Sequence, residues 1–426
     1  MQDTKLATKS EGSAINRQRL LARFLRYVQV DTTAREGAET YPSSLGQLDL
    51  GRQLVAELRS AGIENAAQDE HGVVTVHLAA TVGRTTPTIL FNAHLDTSPE
   101  TTGAGVRPQV WENYDGRDLV LPGDPSRVIR VAEDHELARL TGATIITSDG
   151  TTLLGADDKA GVAVIMETIC YLAEHPRIEH GAVWACFTCD EEIGRGTRHV
   201  DLAAIPATVC YTLDGHGTDE IDVETFSADL AVVKVTGVNI HPAIGKGRMV
   251  NAVRVAADFV ARLPRDRLSP ETTDQREGFL HPYRAEGGVG EMTLRILLRD
   301  FETAALAQQA ALLRTAAAES MAAFPGSSIE IDVSPQYRNM AEGLAREPRA
   351  VAYAEEALQR LGREPKLTIV RGGTDGAQFT AKGLPSPNLS TGEHNLHSPL
   401  EWTCLEEMLE AVEMLVELVR VWAEKG

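Results

Sequence analysis

Five short stretches carry residues whose types and spacing could do chemistry. "LLGADDKAG", residues 153–161, sets Asp157 and Asp158 side by side at the mouth of an apolar helix. A bare carboxylate in such a place is costly unless it is solvated, paired or bound to a cation. "FNAHLDTSP" puts His94 and Asp96 two apart at the end of an apolar run, and "FTCDEEIGRGT" puts Asp190, Glu191 and Glu192 in a row after another. "YTLDGHG" ends a third run on Asp214, and "STGEHNLHSP" brings His394 and His397 after a fourth. In a strand, residues i and i+2 share a face, so the Asp96 carboxylate can orient the His94 imidazole. Taken alone that pair is equally at home in a packed core, and three acidic residues in a row also make an ordinary exposed turn. The pattern as a whole says more. His94, Asp157, Glu192, Asp214 and His397 each fall just beyond a strand or at a helix entrance, where open α/β sheets gather their ligands. Two imidazoles and three carboxylates form a donor set suited to two Zn²⁺, or to Mn²⁺ or Co²⁺ in the same geometry, with one carboxylate bridging both ions. Asp157 is then the ligand and Asp158 shapes the turn.

Elements that alternate along the chain must position these residues. "GVVTVHL", "TPTILFNAHLD", "AVWACFT" and "TVCYTL" read as strands, with the apolar helix "GVAVIMETICYLAEH" between the second and third. That alternation predicts an α/β fold with a mixed, largely parallel sheet flanked by helices. Leu20, Phe24 and Val28 mark one amphipathic helix, and Leu50, Leu54 and Leu58 another that ends at Gly62. "SPNLST" reads as a late strand, and Thr403 with Glu406 as a capping box before a final helix. Between about 222 and 335, "DLAVVKVTGV" and "MTLRILLRDF" alternate like half-buried antiparallel strands beside two helices. The domain plan is therefore 1–221 and 336–426 as two parts of a catalytic domain, with an α+β lid inserted at 222–335. Two competing signals are weaker: the C-x-x-C of Cys186 and Cys189 lies in a buried strand and reads as packed cysteines, and "GVGEMTL" reads as a turn rather than a phosphate loop.

Composition narrows the function classes. A chain of 426 residues, 43% apolar and 24% charged, can bury a large core and is long enough for two domains. With 41 basic and 61 acidic residues, the net charge of -20 repels polyanions, so neither nucleic acid nor an anionic membrane is an expected partner. Five scattered cysteines and a polar stretch over 1–13 fit a reducing, cytoplasmic setting. No apolar run reaches the ~20 residues of a membrane span.

With those residues in view, the chain resembles the M20 group of metallopeptidases, and within it the tripeptide aminopeptidases. "HLDTSP", "TSDGTTLLGADDKAG", "FTCDEEIGRG", "YTLDG", "GVNIHPAIGKGRMVNA", "LLRDFE" and "RGGTDGAQF" with "GLPSPNLSTG" follow in the group's order over nearly the whole chain after residue 15. The resemblance implies one zinc on His94, Asp157 and Asp214, and a second on Asp157, Glu192 and His397. It makes Asp96 the residue that orients His94 and Glu191 the general acid/base, and it implies a cis peptide between Asp157 and Asp158. It assigns His241, Asn251, Arg299 and Arg371 to the substrate, with Arg371 on the peptide carboxylate. The implied activity is release of the N-terminal residue from short peptides, tripeptides above others. A dipeptidase or deacylase of the same group and a catalytically silent metal-binding protein are the alternatives, and a homodimer is left open. Cys189 and His216 stand where the resemblance leads one to expect proline and glycine.

Overall fold

Four parallel strands form the centre of the main sheet, in the order Val183–Thr188, Ile89–His94, Val209–His216 and Asn388–His394. Ile89–His94 is buried at every position, as expected of a strand covered on both faces. Antiparallel strands complete both margins. Val74–Leu78 and Ala67–Gln68 lie on one side, and Trp402–Cys404, Ile145–Thr147 and Gln109–Trp111 on the other. The sheet is thus mixed, and its central parallel strands carry His94 and Asp214 near their ends and lead to Glu192 and His397. This computed structural model describes residues 15–426; the polar stretch 1–13 lies outside the described residues.

The helix Ala156–Glu174 packs on all four of these strands and is buried almost all round, so its apolar residues need not follow a single stripe. Val162, Ile165, Met166 and Ile169 are fully buried, and each such side chain is worth roughly 1.5–3 kcal/mol. The approach is close at Gly161, where a Cβ would meet Leu213 O at 1.9 Å and Asp158 Oδ1 at 2.2 Å. That contact explains why the run after the two aspartates reads Lys-Ala-Gly.

Arg17–Tyr27, Leu45–Ser60 and Leu405–Lys425 are the flanking helices. Leu45–Ser60 ends as expected, with Gly62 at φ +83° and its N–H on Arg59 O at 2.9 Å. The capping box is not formed. Thr403 belongs to the strand Trp402–Cys404, Cys404 is the N-cap without a side-chain cap, and the Glu406 carboxylate instead accepts from Thr144 N at 2.7 Å and pairs with Arg17 at 2.7 Å. A partner distant in sequence outcompetes the local cap.

Contacts divide the chain into two units. The first is Met1–Ile221 with Ala352–Lys366 and Asn388–Gly426; the second is Asp222–Val351 with Leu367–Pro387. The second unit holds an antiparallel sheet ordered Phe279–Gly287, Glu291–Asp300, Ser227–Thr236, Ser328–Tyr337. Ala231, Val233 and Val235 alternate inward with Leu294, Ile296 and Leu298 from the neighbouring strand, and helices Ala252–Ala261 and Thr303–Ala323 cover that face. This unit runs beyond residue 335: Tyr337 and Ile369 pack against the cluster of Phe226, Phe279 and Phe301. "GVGEMTL" is indeed a turn, closed by Gly288 N on Glu291 O at 2.7 Å. Among the described residues no helix is long and apolar enough to cross a membrane.

Candidate metal centre

All seven residues expected at the metals belong to the first unit. Asp157 sits at the mouth of the buried helix with non-helical backbone angles, joined to Asp158 by a cis peptide bond. One of its oxygens, Oδ1, is 3.0 Å from His94 Nε2, and the other, Oδ2, is 3.1 Å from His397 Nε2. Asp214 Oδ1 adds a contact of 3.9 Å on the His94 side. Glu192 Oε2 adds one of 3.2 Å on the His397 side. A single carboxylate therefore lies between two imidazoles, and each imidazole has a further carboxylate.

Backbone hydrogen bonds hold the frame. Asp158 Oδ2 accepts from His94 N at 2.8 Å and its Oδ1 from Gly161 N at 3.1 Å, so this residue does shape the turn. The Asp96 carboxylate accepts from Glu191 N at 3.0 Å and Glu192 N at 3.1 Å. What faces His94 Nδ1 most closely is the Asp96 backbone carbonyl, at 3.1 Å, with Oδ1 farther off at 3.5 Å. Asp96 thus orients the ring mainly through its backbone while its carboxylate fixes the acidic turn. The Asp214 backbone is held by Asn388, whose Oδ1 accepts from Asp214 N at 3.1 Å and whose Nδ2 donates to Asp214 O at 2.7 Å.

Two further carboxylates, Glu401 and Glu393, lie near the site together with Asp158. Glu401 is fully buried and accepts from Leu154 N, Gly155 N and Asp157 N at 2.8, 2.8 and 3.1 Å, which locks the loop that carries Asp157. Burial pushes it up to about 7. Glu393 groups with Asp157 and Asp214, and Asp158 with His94 and Asp214. Glu393 had a signal, since it stands beside His394 in the same motif; Glu401 had none at short range.

The electrostatics call for cations. Asp157, Asp158, Glu192, Asp214 and Glu393 are five carboxylates around two imidazoles, nearly all shut off from solvent. Burial, then Asp157, pushes Glu192 up to about 7, and burial with the neighbouring aspartates drives Glu393 well above its usual range. Burial would raise Asp157 too, but His397 and His94 outweigh it and hold its carboxyl low. Asp157 Oδ1 and Glu192 Oε1 are buried without a hydrogen-bond partner. Orphaned anionic oxygens beside imidazole nitrogens, within 4.8 Å of one another in the His94, Asp157, Glu192 group, fit divalent ions with mixed N/O ligands.

The four residues expected on the substrate lie in the second unit. His241 is exposed and caps the turn Pro242–Ile244, its Nδ1 accepting from Ala243 N at 3.2 Å. Asn251 caps the helix Ala252–Ala261 through Oδ1 on Val253 N at 2.9 Å. The Arg371 guanidinium donates to the carbonyls of Gln275, Glu277 and Thr273 and to Thr273 Oγ1, and lies over Phe226 and Phe279. Arg299 Nη1 donates to Arg371 O at 3.4 Å, while its buried Nε has no partner. Cys186 and Cys189 are buried thiols outside any disulfide, packed as expected.

The sequence profile described as "Peptidase family M20/M25/M40" matches residues 149–421. Peptidase T of Geobacillus thermodenitrificans is 42% identical over 409 residues, spanning 96% of this chain and 99% of that protein. Peptidase T of Listeria welshimeri is 41% identical, spanning 96% and 100%. Among solved structures, aminopeptidase PepT from Bacillus cereus superposes with a TM-score of 0.71 at 26% identity, covering 96% of this chain and 99% of that one. A tripeptidase from Staphylococcus aureus gives 0.75 at 22%, covering 97% and 100%. On the profile match and on kinship along nearly its whole length, the chain belongs to peptidase family M20/M25/M40.

Proposed function

We propose that the protein is a two-metal aminopeptidase that removes the N-terminal residue of short peptides and prefers tripeptides. One observation carries the reading: Asp157 lies between His94 and His397, with Asp214 and Glu192 on opposite sides. Full-length kinship with peptidases T supports the substrate class. Two Zn²⁺, with Mn²⁺ or Co²⁺ as substitutes, held by these five residues supply Lewis acidity and a more acidic water. Glu191 takes the proton of the attacking water and returns it to the leaving amine. Its backbone is pinned by Asp96, so the base and the neighbouring ligand Glu192 keep separate tasks on one short turn.

Substrate binding falls to His241, Asn251 and Arg299. With Nδ1 engaged on Ala243 N, His241 has Nε2 for a substrate carbonyl. Arg299, whose Nε lacks a partner, is a better carboxylate anchor than Arg371, whose Nη groups already serve the 273–277 loop. Arg371 then positions rather than binds. Five buried cysteines, none in a disulfide, support a cytoplasmic setting.

The experiment compares di-, tri- and tetrapeptides in zinc-loaded protein and repeats the tripeptide with Glu191→Gln. The expected result is fastest cleavage of the tripeptide, and a drop of about 10²- to 10⁴-fold in kcat for the variant with both ions retained. Cleavage of N-acylated substrates in preference to free peptides, or loss of metal in Glu191→Gln, overturns the reading.

A further inference from the structure

The strand ends that carry the centre also hold a second convergence of imidazole and carboxylate. His216 closes the strand Val209–His216, and His394 closes Asn388–His394. Glu136 comes between them from the segment before the short turn Leu137–Arg139. Its Oε2 lies 2.8 Å from His216 Nε2 and 2.8 Å from His394 Nδ1. That oxygen is closed to solvent, and neither short contact has the alignment of a hydrogen bond, the same condition as Asp157 Oδ1. The three ligand atoms lie within 4.8 Å of one another.

The frame around them is built in advance. His394 presents its other nitrogen, Nε2, to Glu407 Oε2 at 2.7 Å, and its ring stacks on Trp402 with centroids 3.7 Å apart. A carboxylate on the far nitrogen fixes the tautomer that leaves the Nδ1 lone pair facing Glu136, the usual support for a metal-bound histidine. Asp134 docks the Glu136 segment independently, accepting from Trp402 Nε1 at 2.8 Å and Asn395 Nδ2 at 3.2 Å. This cluster is separate from the one at Asp157. Glu393 groups with Asp157 and Asp214, whereas the next residue, His394, groups with Glu136 and His216.

We propose that His216 Nε2, His394 Nδ1 and Glu136 form a further metal site, distinct from the centre at Asp157, that takes one divalent ion, Zn²⁺ by its donors. Two imidazoles and a carboxylate make a three-ligand set with a position open to water. The side chains of His216 and Glu136 are 48% and 38% exposed, so the site lies nearer solvent than the centre at Asp157 and its ion is held less tightly than an enclosed pair. Once bound, it ties the 134–139 segment to the ends of two central strands.

The test strips the full-length protein with a chelator and titrates it with Zn²⁺ alone, following uptake by calorimetry and by direct metal analysis. Uptake of three ions per chain is expected, the third more weakly. His216→Ala and Glu136→Gln alter partly exposed side chains outside the centre at Asp157, and each is expected to lose the third ion and keep two. Glu407→Gln should weaken the third ion roughly ten- to a hundredfold. With Co²⁺ as the probe, the visible absorption of the third ion should vanish in Glu136→Gln and persist in Asp157→Asn, which separates this site from the centre. Saturation of the wild type at two ions, or an unchanged third ion in both His216→Ala and Glu136→Gln, overturns the proposal.

Discussion

Twice among the described residues of the first unit a carboxylate comes within contact distance of two imidazole nitrogens: Asp157, one oxygen each to His94 and His397, and Glu136, with Oε2 alone between His216 and His394. The motif is the same; the charge around it is not. Asp158, Glu192, Asp214 and Glu393 crowd Asp157, so five carboxylates face two rings even if both rings are protonated. Among the described residues Glu136 is joined by Glu407, which makes two carboxylates for two rings. Protons can therefore balance the second cluster. His394 shows how: burial works against its charge, but Glu136 and Glu407 outweigh that and push it up to about 9. No number of histidine protons balances the first, where Glu192 and Glu393 are driven up instead. One cluster depends on cations, and the other can exchange protons for one.

The sharpest break in that comparison is Asp157→Asn. It removes the only carboxylate shared by both halves of the centre, and the expected loss is at least ~10³-fold in kcat/KM, about 4 kcal/mol of barrier, together with both tightly held ions. Chelation should also lower the wild type's stability, by about 4 kcal/mol if the metal had stood at a thousand times its Kd, and should leave Asp157→Asn almost unmoved. Denaturant midpoints with and without chelator measure this. Equal chelator sensitivity in both proteins would mean that the charge excess around Asp157 is not relieved by metal.

Asp96→Asn has a smaller expected effect and tests how the centre is supported. Because its carboxylate accepts from Glu191 N and Glu192 N, its loss should fall on the Glu192–His397 half, with a decrease in activity of about ten- to a hundredfold. Metal titration should show the ion shared by Glu192 and His397 weakened more than the one at His94. The opposite order would return Asp96 to the role that the His-x-Asp spacing suggested, that of a carboxylate aimed at the ring.

Much of this was legible in the sequence because strand ends are local signals. An apolar run followed by His94, or by Asp214, states both the element and the position of the ligand beyond it. The two adjacent aspartates were legible for the same reason, with Gly161 marking the close approach of helix to strand. What could not be read depends on partners far apart in the chain. Glu401 reaches back to Leu154, Gly155 and Asp157 across about 245 residues. Glu406 looks like half of a capping box until Thr144 and Arg17 are in place. Arg371 has the right chemistry for a carboxylate, and only the fold reveals that a loop a hundred residues earlier already uses its donors. Spacing reports what a side chain could do, and competition among distant partners decides it.

The smallest expected effect tests whether carboxylate neighbours, rather than burial, are what make these histidines ligands. His180 is as buried as His94, each 2% exposed, but its Nδ1 faces the Gly181 carbonyl at 2.7 Å. Burial lowers its pKa against the smaller pull of that carbonyl, whereas His94 is raised well above 6.5 because Asp157 and Asp96 outweigh the same burial. The sign follows from linkage. With the folded value below the unfolded 6.5, the unfolded chain binds the extra proton first, so the stability that His180 contributes is complete above pH 6.5 and is lost as pH falls through the window beneath it. His180→Asn keeps a donor near Gly181 O and removes the titration. In chelated protein, urea midpoints between about pH 5 and 7 should therefore fall less steeply for His180→Asn than for the wild type, by up to one proton in the linkage slope. Identical slopes would show that the His180 ring is not held neutral by burial, and the contrast with the carboxylate-bound histidines would then have to rest on geometry alone.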